Sequence, residues 1–405
     1  MKLIYGGVTA PKGFTANGIL CGIKPGRKTC DTALIYSETP CNAAGVFTTN
    51  RVKAECVKLT KEHISNGKAQ AVIVNSGNAN ACTGEEGKNS ALRMARCAAN
   101  ALNLQEDDVL VCSTGVIGVQ LPVHLIENKV SELAAGLSRD GHEAAREAIL
   151  TTDTRYKEAA LETVIGGKTV RFGTMAKGSG MIHINMGTML GFITTDCAIS
   201  SHMLDKALRE SVAVTYNCVS VDGDTSTNDT LLILSNGMAG NEEITEENQD
   251  YRDFVSALIE LNTIMAKRIA GDGEGAEHLI ECQVVGAYSA EAARALAKSV
   301  VSSNLVKAAF FGKDANWGRI LCALGYSGID FTPEKTSVTF HSLTGVIQVF
   351  KEGVPLLFDE EKAKDILDSA EVDILIEMQD GKGSGFAWGC DLTYDYVKIN
   401  GDYRT

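Results

Sequence analysis

Residues 175–196 read MAKGSGMIHINMGTMLGFITTD. The stretch divides into a Gly-rich turn and an apolar run. Lys177 opens the turn, and Gly178 and Gly180 permit backbone angles and close approaches denied to other residues. Thr188 to Thr194, TMLGFIT, has the β-branched and aromatic content of an extended, largely buried strand. Gly187, with no side chain, stands immediately before Thr188. A buried strand needs covering layers, so the rest of the chain must supply sheet neighbours and helices.

It does. Gln70 to Asn75 (QAVIVN) reads as a buried strand that stops at Ser76-Gly77-Asn78. Asp108 to Cys112 stops at Ser113-Thr114-Gly115, and Leu231 to Leu234 at Ser235-Asn236-Gly237. β-Branched content followed by Gly, Asn and Ser is the basis for each. Helical patterns lie between. In Tyr251 to Ala270 the residues Phe254, Leu258, Leu261, Met265 and Ile269 recur at spacings of three and four, with Gly271 at the C-terminal end. Further helices are expected near 88–102, 127–137, 142–150, 201–215 and 290–302. The pattern predicts an α/β or α+β fold, a layered sandwich of sheets covered by helices. No repeat at solenoid periods and no low-complexity linker is visible, so composition marks no compact domain boundary.

The chain has 405 residues, 44% hydrophobic and 22% charged, as an ordinary globular protein does. Its net charge is −13 and its pI about 5.1. A uniformly anionic chain is a poor partner for nucleic acid or anionic membranes. No apolar stretch reaches the roughly 20 residues of a spanning helix, and none resembles a signal peptide. The 12 Cys form no C-x-x-C pair and read as reduced thiols, so a cytoplasmic location is expected. The seven His never pair as H-x-x-x-H, so no metal site is expected. Gly166-Gly167-Lys168-Thr169 lacks the first Gly of a phosphate-binding loop. Gly271-Asp272-Gly273-Glu274-Gly275 is not G-x-G-x-x-G, and no G-x-S-x-G elbow exists.

A small residue followed by Thr at a turn suits one particular chemistry. A threonine hydroxyl is a weak nucleophile until a base takes its proton. If the Gly187–Thr188 bond is cut, the new α-amine is that base, with an ordinary pKa of about 7.7–8, near working pH. Before cutting, the Thr188 oxygen can attack the Gly187 carbonyl, and water then opens the resulting ester. The same residues equally describe a plain Gly-rich turn entering a core strand, and local pattern does not choose between the two.

Longer matches do choose. Lys177-Gly-Ser-Gly-Met-Ile and Asn185-Met-Gly-Thr-Met-Leu190 resemble the cleavage motif of the ornithine acetyltransferase family of arginine biosynthesis. Its members are bifunctional glutamate N-acetyltransferases and amino-acid acetyltransferases. The resemblance extends through Asn75-Ser-Gly-Asn-Ala-Asn80, Ser113-Thr-Gly-Val-Ile-Gly118, Thr151-Thr-Asp-Thr154, Ser220 to Asp229, Asp314 to Arg319 and Ile399 to Thr405. Gly187 stands where members commonly have Ala, and Ile184 where many have Pro.

The resemblance implies a ping-pong acyltransferase. N2-Acetylornithine would acetylate Thr188 and leave as ornithine, and glutamate would take the acetyl group as N-acetylglutamate. Some members also accept acetyl-CoA as a donor, and no residue here distinguishes the two kinds. No cofactor is implied. Thr114 and Gly115 match the oxyanion-hole pair. Thr151 or Thr154, Lys177, Thr188, Glu274, Asn400 and Thr405 match the substrate contacts, Lys177 suiting a carboxylate and Glu274 the δ-ammonium of ornithine. Autocatalytic cleavage would give an α segment, 1–187, and a β segment, 188–405, associated as a dimer of heterodimers. A self-processed aminopeptidase or amidohydrolase on a related fold is the competing expectation.

Overall fold

A computed structural model describes residues 1–183 and 189–402. Gly187, Thr188 and Thr405 therefore lie outside the described residues. Among those described, a nine-stranded sheet runs in the order Lys2–Ile4, Lys157–Ile165, Lys168–Lys177, Leu190–Thr195, Thr230–Ser235, Thr32–Phe47, Lys68–Asn78 and Val109–Val116. Phe14–Ile19 pairs with Thr32–Phe47 to complete it. A six-stranded sheet runs Val354–Pro355, Gly345–Lys351, Ser337–Ser342, Glu371–Glu377, Leu279–Ala287 and Gly383–Cys390. Ser220–Thr225 pairs separately with Ile182–His183.

The strand expected from 188 lies at the centre of the larger sheet. Leu190–Thr195 is antiparallel to Lys168–Lys177 and parallel to Thr230–Ser235. Its side chains alternate between two cores, as the two-residue period of a strand requires. Ile193 joins Leu231 and Ile233 on one face, and Leu190 and Phe192 join Leu232 and Leu234 on the other. A sheet buried on both faces needs this nearly continuous apolar sequence.

The helix that fills the first core is Gln249–Ala270. The Asn248 side chain accepts the Tyr251 N–H at 3.0 Å and closes its N-terminus. Phe254, Leu258, Leu261, Met265 and Ile269 are fully buried, and Phe254 meets Phe172 of the sheet at 5.0 Å between ring centroids. Ala290–Ser302 adds Leu296 and Val300 to the same core, against Ile280 and Val284 of the smaller sheet. The expected α/β layering is therefore present.

Two expectations change. The helix read over 127–137 is two short ones, Val123–Glu127 and Val130–Ala135. Lys129 leaves helical geometry between them, and its Nζ donates to the Leu20 carbonyl at 2.7 Å. The stops read at Ser76-Gly77-Asn78 and Ser113-Thr114-Gly115 are both strand. They pair with each other in parallel, Ser76 opposite Thr114 and Gly77 opposite Gly115. Each turn-like tripeptide satisfies the other's backbone groups, a remote pairing that local residue preference does not encode.

Beneath the end of the central strands lies a buried cluster of charges. Lys157, whose side chain is fully buried, bridges Asp153 and Asp272. Its Nζ is 2.7 Å from Asp153 Oδ1. Asp153 also receives the N–H of Gly178 at 2.7 Å and of Thr151 at 3.2 Å, and faces Lys177 Nζ at 4.0 Å. Asp272 receives the N–H groups of Thr154 and Arg155 at 3.1 and 3.2 Å. Burial alone would raise the Asp153 carboxyl, but the Lys177 and Lys157 ammonium groups overcome it and hold the acid at about 2. A depressed carboxylate pKa stabilises the fold fully above the ordinary value near 3.8. That contribution is lost as pH falls from there through about 2. Lys157→Met should leave the buried Asp272 carboxylate without its counter-ion and Asp153 with Lys177 alone, and cost about 3–5 kcal/mol. Urea midpoints of the wild type and variant at pH 7 would measure this.

Candidate active site

Local geometry delivers the chain that follows Thr188 to a particular corner. Leu190 pairs with Lys177 on one side and with Thr230 on the other. The Thr230 N–H donates to the Met189 carbonyl at 2.8 Å. A cavity of about 340 Å³ opens at this end of the strands. Its lining includes Thr114, Gly115, Thr151, Lys177, Glu274 and Asn400, which come from widely separated parts of the chain. The volume is at the small end of ligand sites and matches an amino-acid derivative.

Thr114 and Gly115 are held by a scaffold of amides. Asn75 accepts the Ser113 hydroxyl at 2.5 Å and donates to the Asn78 carbonyl at 3.0 Å. Asn78 donates to Val119 at 3.0 Å and accepts the Asn80 N–H at 2.8 Å. Asn228 reaches across from the opposite loop and donates to the carbonyls of Ala79 and Ser113 at 2.6 and 2.8 Å. The Asn75–Asn80 motif thus positions the Thr114–Gly115 strand end. At Gly115 φ is +134°, and a Cβ there would come within 2.3 Å of the Gly77 carbonyl carbon. Only glycine fits both the angle and the approach. A backbone N–H and a threonine hydroxyl at one strand end are the donor types that stabilise a tetrahedral oxyanion.

The charged lining has a definite polarity. Lys177 is the cation, and Glu274, Asp222 and Asp224 are the anions. Glu274 packs directly on Gly180, where a Cβ would meet its carboxylate at 2.3–2.5 Å. Its Oε2 accepts the Asn400 side-chain N–H at 2.8 Å, and its own N–H donates to Ser179 at 3.0 Å. Asp222 receives the N–H groups of Met181 and Ile182 at 2.6 and 2.8 Å. It thereby holds Met181 at the unusual φ of +55°. Burial, and after it the Asp222, Asp224 and Glu274 carboxylates, push the Tyr396 phenol up. Lys24 is pulled down to about 8 by burial, then by Arg27, with Lys177 adding to the effect. Its Nζ donates to the Leu150 carbonyl at 2.6 Å.

The structure therefore brings Thr114, Gly115, Thr151, Lys177, Glu274 and Asn400 to one cavity. Thr154 is turned away from it, with its hydroxyl and N–H both donating to Asp272. Gly187, Thr188 and Thr405 lie outside the described residues. Sequence reasoning missed Asp153, Lys157, Asp222, Asn228 and Tyr396. Asp153 sits inside the quoted Thr151–Thr154 run and Asp222 and Asn228 inside Ser220–Asp229, so the matched stretches were the available signal. No spacing rule marks Lys157 or Tyr396. Away from the cavity lining, Glu277, His278 and Asp391 bring ligand-type atoms within 4.8 Å of one another. Asp391 already accepts the N–H groups of Glu277 and His278 at 2.9 and 3.0 Å. The twelve cysteines are free, eight of them buried. Among the described residues no helix is long and apolar enough to cross a membrane.

Comparison with known proteins follows the same lines. The ArgJ family model matches residues 15–405. The chain is 49% identical, over 100% of both sequences, to the arginine biosynthesis bifunctional protein ArgJ of Caldanaerobacter subterraneus subsp. tengcongensis. It is 52% identical, again over 100% of both, to the protein of the same name from Symbiobacterium thermophilum. A crystal structure of arginine biosynthesis bifunctional protein ArgJ from Bacillus halodurans superposes with a TM-score of 0.51 at 45% identity. It covers 53% of this chain and 100% of the solved one. With nearly its whole length matched by that family model, and full-length relatives at about half identity, the chain belongs to the ArgJ family, the acyltransferases of arginine biosynthesis.

Proposed function

We propose that this enzyme transfers an acetyl group from N2-acetylornithine to glutamate through an acetyl ester on Thr188. The observation that carries the proposal is the convergence of two oxyanion donors, a cation and a carboxylate on the strand end that follows Thr188. Thr188 Oγ attacks the acetyl carbonyl, and its proton passes to the Thr188 α-amine. The Thr114 hydroxyl and the Gly115 N–H stabilise the oxyanion. Collapse expels ornithine, whose nitrogen takes the proton back. The amine of glutamate then attacks the ester, giving N-acetylglutamate and restoring the hydroxyl. Lys177 pairs with the substrate α-carboxylate. Glu274, oriented by Asn400, pairs with the δ-ammonium of ornithine. Thr151 and Thr405 complete the binding site, and Thr154 supports it through Asp272.

The α-amine exists only once Gly187–Thr188 is cut. Thr188 Oγ attacks the Gly187 carbonyl, the amide nitrogen becomes the amine, and water opens the ester to free the Gly187 carboxylate. Gly187, like the Ala common in relatives, leaves room for that attack. Two findings support a chain in two pieces. Residues 188–405 make up about 54% of the sequence, and the solved Bacillus halodurans chain matches 53% along its entire length. The central sheet also interleaves the pieces, since Leu190–Thr195 and Thr230–Ser235 lie between Lys168–Lys177 and Thr32–Phe47. The α segment 1–187 and β segment 188–405 therefore stay associated after cutting, and two such heterodimers form the working assembly in the cytoplasm. No cofactor takes part. Acetyl-CoA is a second acetyl donor to test beside acetylornithine.

Thr188→Ala should run as one band on a denaturing gel where the wild type runs as two, and should lose activity entirely. Acetylornithine carrying a labelled acetyl group should label N-acetylglutamate when glutamate is present. Equal release of free acetate with and without glutamate would identify a hydrolase instead. Glu274→Gln should lower kcat/KM for acetylornithine about 10- to 100-fold, the loss of one charge-assisted contact. Because the half-reactions are separate, kcat/KM for glutamate should change far less, and steady-state kinetics in each substrate would show the split.

A further inference from the structure

Leu279–Ala287 and Gly383–Cys390 are antiparallel neighbours in the smaller sheet, with Leu279 opposite Cys390. One step beyond that pair, His278 and Asp391 come side by side. Asp391 Oδ1 accepts the N–H groups of Glu277 and His278 at 2.9 and 3.0 Å. His278 Nδ1 lies 2.9 Å from the Ser369 carbonyl oxygen. A carbonyl only accepts, so in the neutral ring Nδ1 carries the hydrogen and Nε2 presents a lone pair. Two atoms are left over. His278 Nε2 and Asp391 Oδ2 are both buried and find no hydrogen-bond partner among the described residues. Their residues are 5% and 3% exposed. Buried polar atoms are normally satisfied, and a buried carboxylate persists when it is paired or coordinates a metal. The partners Asp391 has are neutral backbone groups.

We propose that His278, Asp391 and Glu277 hold one divalent transition-metal ion of the zinc class, with His278 Nε2 and Asp391 Oδ2 as the buried ligands. Ligand-type atoms, one from each residue, lie within 4.8 Å of one another. Ligands at about 2.0–2.2 Å from one zinc ion stand roughly 3.4 Å apart. A closing shift of about 1 Å is therefore enough, and Glu277, which is exposed, is the arm free to swing inward. One imidazole and two carboxylates suit zinc, cobalt or manganese, whereas magnesium and calcium take oxygen ligands. The supporting contacts are those of a ligand set. A histidine that binds metal through one nitrogen donates its other N–H to a carbonyl or carboxylate, as Nδ1 does to Ser369. Two N–H groups on Oδ1 fix Asp391 in the same way. Three protein ligands leave the remaining position to water.

The ion is structural. None of its three ligands lines the catalytic cavity, yet the two segments it joins both lead there. Glu274, three residues before Glu277, faces the cavity, and so do Tyr396 and Asn400, which follow Asp391. The Thr393 hydroxyl already donates to the Gly275 carbonyl at 2.7 Å between the same two segments. A metal clip a few residues away braces the contact between Glu274 and Asn400 from behind. His278 and Asp391 are 113 residues apart in the chain, so no short metal-binding motif reveals them.

The test is a Zn2+ titration of the full-length enzyme after treatment with a chelator. The wild type should take up one ion per chain. Glu277→Gln, a change at an exposed side chain, should weaken binding at least about tenfold, and Asp391→Asn or His278→Gln should abolish it. Zn2+ at a hundredfold excess over its Kd should raise the wild-type Tm by at least about 2 °C and leave that of Asp391→Asn unmoved. The twelve free cysteines are rival zinc ligands, so Co2+ serves as the second probe. Ligation by nitrogen and oxygen gives weak visible bands without the thiolate charge-transfer band of a cysteine site. Failure of the wild type to bind Zn2+ overturns the proposal and leaves a water molecule bridging the two buried atoms. A thiolate band, or equal affinity in the wild type and Glu277→Gln, also overturns it. If the His278 and Asp391 variants do not fold, the Glu277→Gln affinity and the wild-type cobalt spectrum decide.

Discussion

The buried ammonium of Lys157, held between Asp153 and Asp272, is the contact on which the site depends. Three segments meet there that have no reason to meet locally. Asp153 carries the turn from Thr151 and the N–H of Gly178, which follows Lys177. Asp272 carries Thr154 and Arg155, and its carbonyl accepts the Ser179 hydroxyl at 2.7 Å. Two residues on, Glu274 faces the cavity. Each ion would be costly alone in the interior, and the geometry supplies each with a counter-ion and backbone partners. The positions of Thr151, Lys177 and Glu274 thus follow from one buried charge balance.

The central sheet sets a second constraint. A chain that is cut in the middle must keep its new terminus in place. Here the strand that follows the proposed cut is flanked by a strand from before it and by Thr230–Ser235, which itself pairs with Thr32–Phe47. Separating the pieces would expose the apolar faces of Leu190, Phe192, Ile193 and their neighbours. The proposed loss of one peptide bond would therefore leave the pieces held by non-local burial.

Amides rather than charges hold Thr114 and Gly115. Asn75, Asn78 and Asn228 together satisfy the carbonyls and N–H groups around the Thr114–Gly115 strand end. In the proposed mechanism such neutral donors would cradle a developing oxyanion without binding a resting anion strongly, which is the useful bias in catalysis. The cavity's charges are on Lys177 and the carboxylates Glu274, Asp222 and Asp224.

The sequence by itself determined the layered α/β class and the long helix that ends at Ala270. Both follow from local periodicity, which the unfolded chain already carries. Through its matched stretches it also pointed to most of the cavity residues: Thr114, Gly115, Thr151, Lys177, Glu274 and Asn400. It misread Ser76–Asn78 and Ser113–Gly115 as stops, because their mutual pairing joins strands more than thirty residues apart. It could not separate Thr151 from Thr154, since the choice depends on Asp272, more than a hundred residues away. Asp153, Lys157 and Asp229 look like surface charges in a sequence. Only tertiary structure decides that they are buried, because desolvation and the partner that offsets it are properties of the packed chain and of no residue alone.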